Sequence, residues 1–236
     1  MVMPLYCIVL KQTPILEQLQ LEEALLRTDT RNFCIINYGS PRSIVMGISG
    51  QADQMLDREL VQRDQIPVIQ RFSGGGTVVV DESTLFVSFL FSKQTLPIAS
   101  YPEPILRWSA ALYAQAWQIP GFALRENDYA IAAHKCGGNA QYIQKDRWLH
   151  HTTFLWDYSE ENMRYLKMPE RQPHYRQKRE HKDFLCRLKD HAPSQEWLVE
   201  KLWGALGNVK PFYIEPLDPK TLVFGPHRKA TTLLNI

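Results

Sequence analysis

Gln70-Arg71-Phe72-Ser73-Gly74-Gly75-Gly76-Thr77-Val78-Val79-Val80-Asp81 is the stretch that organises a reading of this chain. An arginine and a serine lead into three successive glycines, and a β-branched run follows at once. Glycine adopts positive φ and lets a backbone approach a ligand closely, so three in a row can aim several N–H groups at an anion. The valine run predicts a strand, which makes the glycines a turn between strands at 66–70 and 77–80. The pattern is not a P-loop, because no Gly-Lys-Ser/Thr follows and no helix starts there. Nor is it Gly-x-Gly-x-x-Gly opening a helix. Taken alone, the glycines read as a mobile hairpin tip, and a second stretch is needed to decide.

The 236 residues have room for one large domain or two small ones, and 44% hydrophobic with 22% charged residues is a globular composition. A formal charge of +2 gives no ground for a nucleic-acid partner or an anionic membrane. Cys7, Cys34, Cys136 and Cys186 are widely spaced, with no Cys-x-x-Cys and no paired framework, which predicts reduced thiols and no zinc ribbon. The first eleven residues are apolar but short, lack a basic leader and run into a helical pattern. Neither a signal peptide nor a membrane span is expected, and the cytoplasm is the default location.

Along the chain, residues 6–10 read as a strand and Thr13-Pro14 as N-cap and first residue of a helix reaching about Leu26. Ile15, Leu19, Glu22 and Leu26 fall near one face of it. Short strands are expected at 33–38 and 43–48, around Gly39-Ser40-Pro41, then a helix at 57–63 and a strand at 67–70. Residues 85–91 predict a strand buried on both faces. Pro102 and Pro104 open a helix that Gly121 closes, with Ile105, Trp108, Leu112 and Ile119 at helical spacing. Runs at 128–132, 135–142 and 148–156 form a meander, which predicts antiparallel pairing. Ser159 starts a short helix, residues 168–183 are polar and basic, and Ser194 caps a last helix ending at Gly207. From about residue 208 the tail, with Pro211, Pro216, Pro219 and Pro226, reads as extended. No repeat and no linker divides the chain, so residues 1–236 are expected to form a single catalytic-type domain with no C-terminal accessory domain.

The second stretch is Asn127-Asp128-Tyr129, then Lys135-Cys136-Gly137-Gly138-Asn139-Ala140-Gln141, then Arg147-Trp148-Leu149-His150-His151-Thr152-Thr153. Lys135, at the head of a glycine-containing strand, suits a carboxylate or phosphate; an exposed edge-strand lysine is the commoner case for any lone lysine. Adjacent strand residues face opposite ways, so His150 and His151 cannot easily share one metal; one buried and one solvated histidine is the plain alternative. Asp128 either binds Mg²⁺ beside a triphosphate or merely ends a loop.

Arg-x-Ser-Gly-Gly-Gly-x-Val-x-x-Asp, then Asn-Asp, then Lys-x-x-Gly-Asn-Ala and Leu-His-His-x-Thr, resembles the catalytic domain of the lipoate–protein ligase A family, within the wider biotin/lipoate ligase group. The order and spacing match over roughly residues 15 to 185, and Leu21-Glu22-Glu23-Ala24 resembles the family's first helix. The resemblance implies an α/β (α+β) fold with a mixed, largely antiparallel sheet flanked by helices, as in biotinyl/lipoyl ligases and class II tRNA synthetase-like domains. It implies activation of lipoate or octanoate by ATP to an acyl-adenylate, and acyl transfer to a lysine of a lipoyl carrier domain. Such carriers belong to 2-oxoacid dehydrogenases or the glycine cleavage H protein. Joining a carboxylate to a phosphate requires cations and N–H donors rather than a protein nucleophile. By the same resemblance Lys135 is catalytic and touches both carboxyl and phosphate. Arg71, Ser73, Gly74, Gly75, Gly76, Thr77, Val78, Val79, Gly138, Asn139 and His151 bind substrate or nucleotide, and Asp128 holds Mg²⁺. Apolar residues near 16–21 and Val78 are expected to line an acyl tunnel. The basic segment from Arg171 to Lys182 lies where the family has a closing loop; a solvated surface or a patch for an acidic carrier are the alternatives.

Departures from the pattern are Val80 for a frequent histidine, Gln70 for a second arginine, Gly137 for Ser or Ala, and Thr152 for Gly. They bear on acyl specificity or on whether activity is retained, and a separate accessory subunit is a further expected partner. The runner-up is an octanoyl- or lipoyl-transferase passing the acyl group through a cysteine, with Cys136 the candidate and Cys34 and Cys186 untested ones. On a strand, Cys136 faces away from Lys135, and no cation that would activate it is evident. A biotin ligase fits the two glycine stretches less well. A catalytically weak module that only binds a lipoyl domain is the reading from a different class.

Overall fold

The computed structural model describes residues 2–169, 172–209 and 212–236. Its strands are β1 (Met3–Lys11), β2 (Asn32–Tyr38), β3 (Ser43–Met46), β4 (Val68–Gln70), β5 (Val78–Val80) and β6 (Thr84–Ser92). They continue as β7 (Phe122–Arg125), β8 (Asp128–Ile131), β9 (His134–Ile143), β10 (Arg147–Leu155), β11 (Phe212–Pro216) and β12 (Thr232–Leu234). The helices are α1 (Ile15–Thr28), α2 (Ala52–Met55), α3 (Arg58–Arg63), α4 (Pro102–Trp117), α5 (Glu160–Met163), α6 (His181–Phe184) and α7 (Gln195–Gly207). An eight-stranded sheet runs β11-β1-β2-β6-β10-β9-β8-β7, and a four-stranded sheet runs β12-β4-β3-β5. Only β11-β1 and β1-β2 pair in parallel in the large sheet; its remaining pairs are antiparallel, as the meander implied.

β6 is apolar at almost every position because it is central and covered on both faces. Leu85, Val87, Phe89 and Phe91 join a cluster with Ile105 and Tyr113 of α4 and Leu198 and Leu202 of α7. Phe86 and Leu90 point the other way, into clusters built by α1. There Ile15 and Leu19 meet Val45, Ile69 and Val80 of the small sheet, so α1 is wedged between the two sheets. Ser88 shares this second face by strand alternation.

Three local expectations change. The glycine segment is not a hairpin: β4 and β5 flank β3 without pairing to each other, so residues 71–77 cross over the end of β3. Pro14 is the N-cap of α1, and the cap acceptor comes from another segment, Ser40 Oγ taking the Ile15 N–H at 2.9 Å. The left-handed residue closing α4 is Gln118, not Gly121. The tail is extended, as expected, and its strands are paired: β11 extends the large sheet and β12 pairs antiparallel with β4. Pro211 lies outside the described residues.

The tail is tied down by Glu23, buried on α1, whose carboxylate accepts the N–H groups of Ala230 and Thr231 and a bond from Arg27. Glu23→Ala removes the acceptor of three donors at once, so unfolding stability is expected to fall by about 2–3 kcal/mol. A urea midpoint unchanged from wild type would show that this clamp contributes nothing.

His150 and His151 part as adjacent strand residues must. His150 is fully buried; its Nε2 pairs with Tyr129 OH at 2.8 Å and lies 3.3 Å from Thr152 Oγ1. Burial, with a smaller contribution from His151, pushes the His150 imidazole down to about 3. Below its ordinary value of about 6.5 the unfolded chain takes up a proton that the folded protein refuses, so stability is full above that pH and falls as pH drops toward 3. Urea midpoints compared at pH 7.5 and 4.5 should fall further for wild type than for His150→Asn; an identical pH dependence in the two would overturn this.

Candidate active site

The second face of the large sheet, beside α1 and beneath the glycine crossover, carries the groups singled out in the sequence. A chain of hydrogen bonds begins at Glu22, fully buried on α1. Its Oε1 accepts from Gln18 Nε2 at 2.8 Å and from Ser88 Oγ at 2.5 Å, and its Oε2 lies 2.9 Å from His151 Nδ1. His151 Nε2 lies 2.9 Å from Ser73 Oγ, and Arg71 Nε donates to the same hydroxyl at 3.1 Å. A carboxylate on Nδ1 assigns the proton to that nitrogen, leaving Nε2 to accept from Ser73. Arg71 Nη2 then donates to Gly74 O at 2.6 Å and Gly76 O at 2.9 Å. Arg71 is 5% exposed, and burial lowers its guanidinium to about 10, still charged at neutral pH. Its fork therefore braces the glycine loop from inside rather than facing solvent.

Gly75 has φ +97°, and a Cβ there would lie 2.7 Å from Arg71 Nη2 and 3.3 Å from Ala140 Cβ, so the loop touches β9 at a point only glycine can occupy. Gly74 and Gly76 face open space. Thr77 Oγ1 donates to Met55 Sδ and Val79 sits in the core of the small sheet, so these two side chains are held away from the loop's polar groups. Val78 and Leu16 pack beside Leu19 and Val80, whereas Leu21 packs toward the tail, which divides the residues expected to line one tunnel between two clusters. Val80, 1% exposed, occupies the apolar cluster under α1.

On β9 a register shift opposite Tyr129 and Ala130 pairs Ala130 with Lys135 and Tyr129 with Gly137, leaving Cys136 as the extra residue. Such a bulge re-aims neighbouring side chains. Lys135 Nζ pairs with Asp128 Oδ1 at 2.8 Å, and Tyr175 OH donates to Asp128 Oδ2 at 3.0 Å. A Cβ on Gly138 would stand 3.3 Å from Lys135 Nζ, so the missing side chain is the space in which the amine lies. Asn139 Nδ2 donates to Asn127 O at 2.7 Å and fixes the turn that presents Asp128. Gly137 is filled by the Phe154 ring, 2.6 Å from where its Cβ would be. Cys136 is buried in the core on the α4 side, its thiol pushed up by burial.

Sequence reasoning named Arg71, Ser73, His151, Asp128, Lys135 and Gly138, and the fold brings them to one face. It missed Glu22, Ser88 and Tyr175 as site residues. A carboxylate on the apolar stripe of α1, and a serine in the middle of the apolar run of β6, were signals that each needs a buried partner. Asp128 offers one carboxylate, and among the described residues no three His, Cys, Asp or Glu groups converge to hold a metal ion. Both oxygens of Asp128 are engaged, by Lys135 and by Tyr175, so a metal ion held here would take most of its ligands from outside the protein. Arg171 lies outside the described residues; from Gln172 to Lys182 the basic segment packs over Asp128 through Tyr175. No helix among the described residues is long and apolar enough to cross a membrane.

The architecture is that of the lipoate–protein ligases. Residues 14–207 match the family model for the lipoyl protein ligase A/B catalytic domain, and the chain belongs to that family. A protein of Plasmodium falciparum named inactive lipoate–protein ligase 2 is 29% identical, covering 84% of this chain and 68% of its own length. The chain spans only 34% and 41% of two further curated relatives. A crystal structure of a lipoate–protein ligase A bound with ATP superposes with a TM-score of 0.74 at 16% identity, covering 91% of this chain and 90% of that one. A bipartite lipoate protein ligase of Thermoplasma acidophilum, described with its E2 lipoyl domain, gives 0.74 at 18% identity, over 92% and 87% of the two chains. At these identities the structures speak for the fold.

Gly75→Ala should destabilise the protein by roughly 1–3 kcal/mol, because it forces a side chain into positive φ and onto the Arg71 fork. Gly74→Ala, facing open space, serves as the control. Equal urea midpoints for the two variants would contradict the close approach described above.

Proposed function

We propose that this chain activates lipoate or octanoate with ATP and transfers the acyl group to a lysine of a lipoyl carrier domain. The observation that carries the reading is the Lys135 amine, set over Gly138 on a bulged strand and paired with Asp128, beside the braced glycine loop. An incoming carboxylate and the α-phosphate are both anionic, and the Lys135 ammonium would move from Asp128 to the pair of them, lowering their repulsion. The carboxylate oxygen then bonds to the α-phosphorus and pyrophosphate leaves. In the second half the carrier's lysine nitrogen attacks the carbonyl, which Lys135 polarises, and AMP departs. Open space at Gly74 and Gly76 gives the nucleotide a place to approach the loop backbone. With Lys135 withdrawn, Asp128 would offer Mg²⁺ one oxygen, and that ion would spread the pyrophosphate charge.

Supporting this reading are membership in the ligase family and the ATP-bound ligase among the structural neighbours. Carriers on 2-oxoacid dehydrogenases or the glycine cleavage H protein, a cytoplasmic location, one domain over residues 1–236 and a separate accessory subunit belong to the same proposal. A second reading, a catalytically weak protein that binds lipoyl domains, is favoured by the relative named inactive and by Val80 lying in the core. Acyl transfer through Cys136 is disfavoured, since its thiol donates to Tyr129 O within the core.

Lipoate- or octanoate-stimulated ATP–pyrophosphate exchange tests the proposal. Exchange is expected in wild type and should fall by about 10²–10³ in Lys135→Ala, the size typical of losing one preorganised transition-state donor. No exchange in wild type, with tight binding of a lipoyl domain, would leave the second reading in place.

A further inference from the structure

The four cysteines, scattered in sequence, are brought together in two pairs. Cys7 and Cys34 stand directly opposite each other on β1 and β2, 5% and 0% exposed in the core. Burial pushes both thiols up, Cys7 to about 12. Neither thiol of that pair is open to solvent in the folded protein.

Cys136 and Cys186 form the other pair. Residue 185 makes a parallel bridge to Lys135, and the Cys186 N–H donates to Lys135 O at 2.9 Å, so Cys136 and Cys186 follow each other across two neighbouring extended segments. Neighbouring strands lie about 4.8 Å apart, inside the Cα separation of about 4.4–6.8 Å that a disulfide spans. Both cysteines are free; Cys186 packs against the cluster that holds Cys136 but is itself only half-buried. The two thiols are chemically unequal. The neighbouring Cys136 thiol stabilises the Cys186 thiolate and lowers it, whereas burial, reinforced by Cys186, raises Cys136. That is the division of labour of an attacking and a resolving thiol.

Cys186 also ends the segment that packs over Asp128 and Lys135. Tyr175 N donates to Glu126 Oε1 at 3.0 Å and its hydroxyl holds Asp128; Arg179 Nη2 donates to Ala133 O at 2.8 Å; Phe184 is buried against Tyr175 and Arg176. Most of these fastenings are single hydrogen bonds at a surface.

We propose that Cys136 and Cys186 are a redox modification site: a reversible disulfide between them fastens the end of the 172–186 segment to the strand that carries Lys135. With glutathione disulfide as oxidant, the Cys186 thiolate attacks one sulfur and releases a first glutathione thiolate. Cys136, losing its proton, then displaces the second glutathione from the mixed disulfide. Two protein thiols are oxidised and one glutathione disulfide is reduced to two glutathiones, so atoms and electrons balance. The bond ties down the covering segment without altering Lys135 itself. Its effect on acyl activation rests on the ligase reading above, but its formation does not.

The test uses the full chain in glutathione buffers, quenched by alkylation and mapped by mass spectrometry, with limited trypsin cleavage in parallel. The expected product is a Cys136–Cys186 linkage, 2 Da lighter than the two thiols, with Cys7 and Cys34 alkylated only after denaturation. Cleavage after Arg176, Lys178, Arg179 and Lys182 should slow by roughly tenfold on oxidation and recover with dithiothreitol. Cys186→Ser and, separately, Cys136→Ala should each abolish the slowing. A lasting glutathione adduct on Cys186 without the linkage, a Cys7–Cys34 linkage instead, or cleavage indifferent to oxidation would each overturn the proposal. None of these readouts requires catalysis, so a protein without exchange activity still decides it.

Discussion

A carboxylate buried where a helix, two strands and a loop converge is the constraint on which the site depends. Glu22 has no access to water, so each of its oxygens must be satisfied from within, and Gln18, Ser88 and His151 do this. Taking a carboxyl group out of water is costly unless it is hydrogen-bonded, which fixes all of those side chains in one geometry. His151 passes the constraint to Ser73, Ser73 to Arg71, and Arg71 to the carbonyls of the glycine loop. A glycine segment that would wander in isolation is thereby held at a defined height above the sheet. The order is imposed by polar bookkeeping rather than by the glycines.

A second anchoring works on the opposite side of the same face. The bulge in β9 frees Lys135 from the ordinary alternation, and Asp128 across the turn receives it. Cys136, the extra residue, is sent into the core. One irregularity thus separates a polar reactive group from an apolar packing group at adjacent positions. The two anchorings meet where Gly75 rests on Ala140, and this contact makes one site from two motifs about sixty residues apart.

Most of the fold was legible because its periodicities are strong. β6 reads as a doubly buried strand, α7 is announced by Ser194, whose side chain accepts from Trp197 N, and the meander of residues 128–156 is antiparallel as expected. The crossover, the cap of α1 and the pairing of the tail escaped the sequence for one cause: their partners are distant in sequence. The crossover at 71–77 looks like a hairpin because β3, which intervenes, precedes it by some thirty residues. Pro14 takes its cap from Ser40, and the tail finds its partners in β1, β4 and Glu23. Local propensity carries no information about such pairings.

The sequence by itself determined the family and the identity of the polar residues at issue, because motif order and residue type are properties of the chain alone. It also set the expectation that Lys135 and Cys136 face opposite ways, which the fold meets through a bulge rather than through plain strand alternation. Only the tertiary structure decided what those residues do to one another: that Arg71 braces the loop, that Glu22 stands behind His151, and that four scattered cysteines form two pairs of unequal access. Burial and pairing are properties of neighbours, and neighbours that close long loops are chosen by the whole fold rather than by the local sequence.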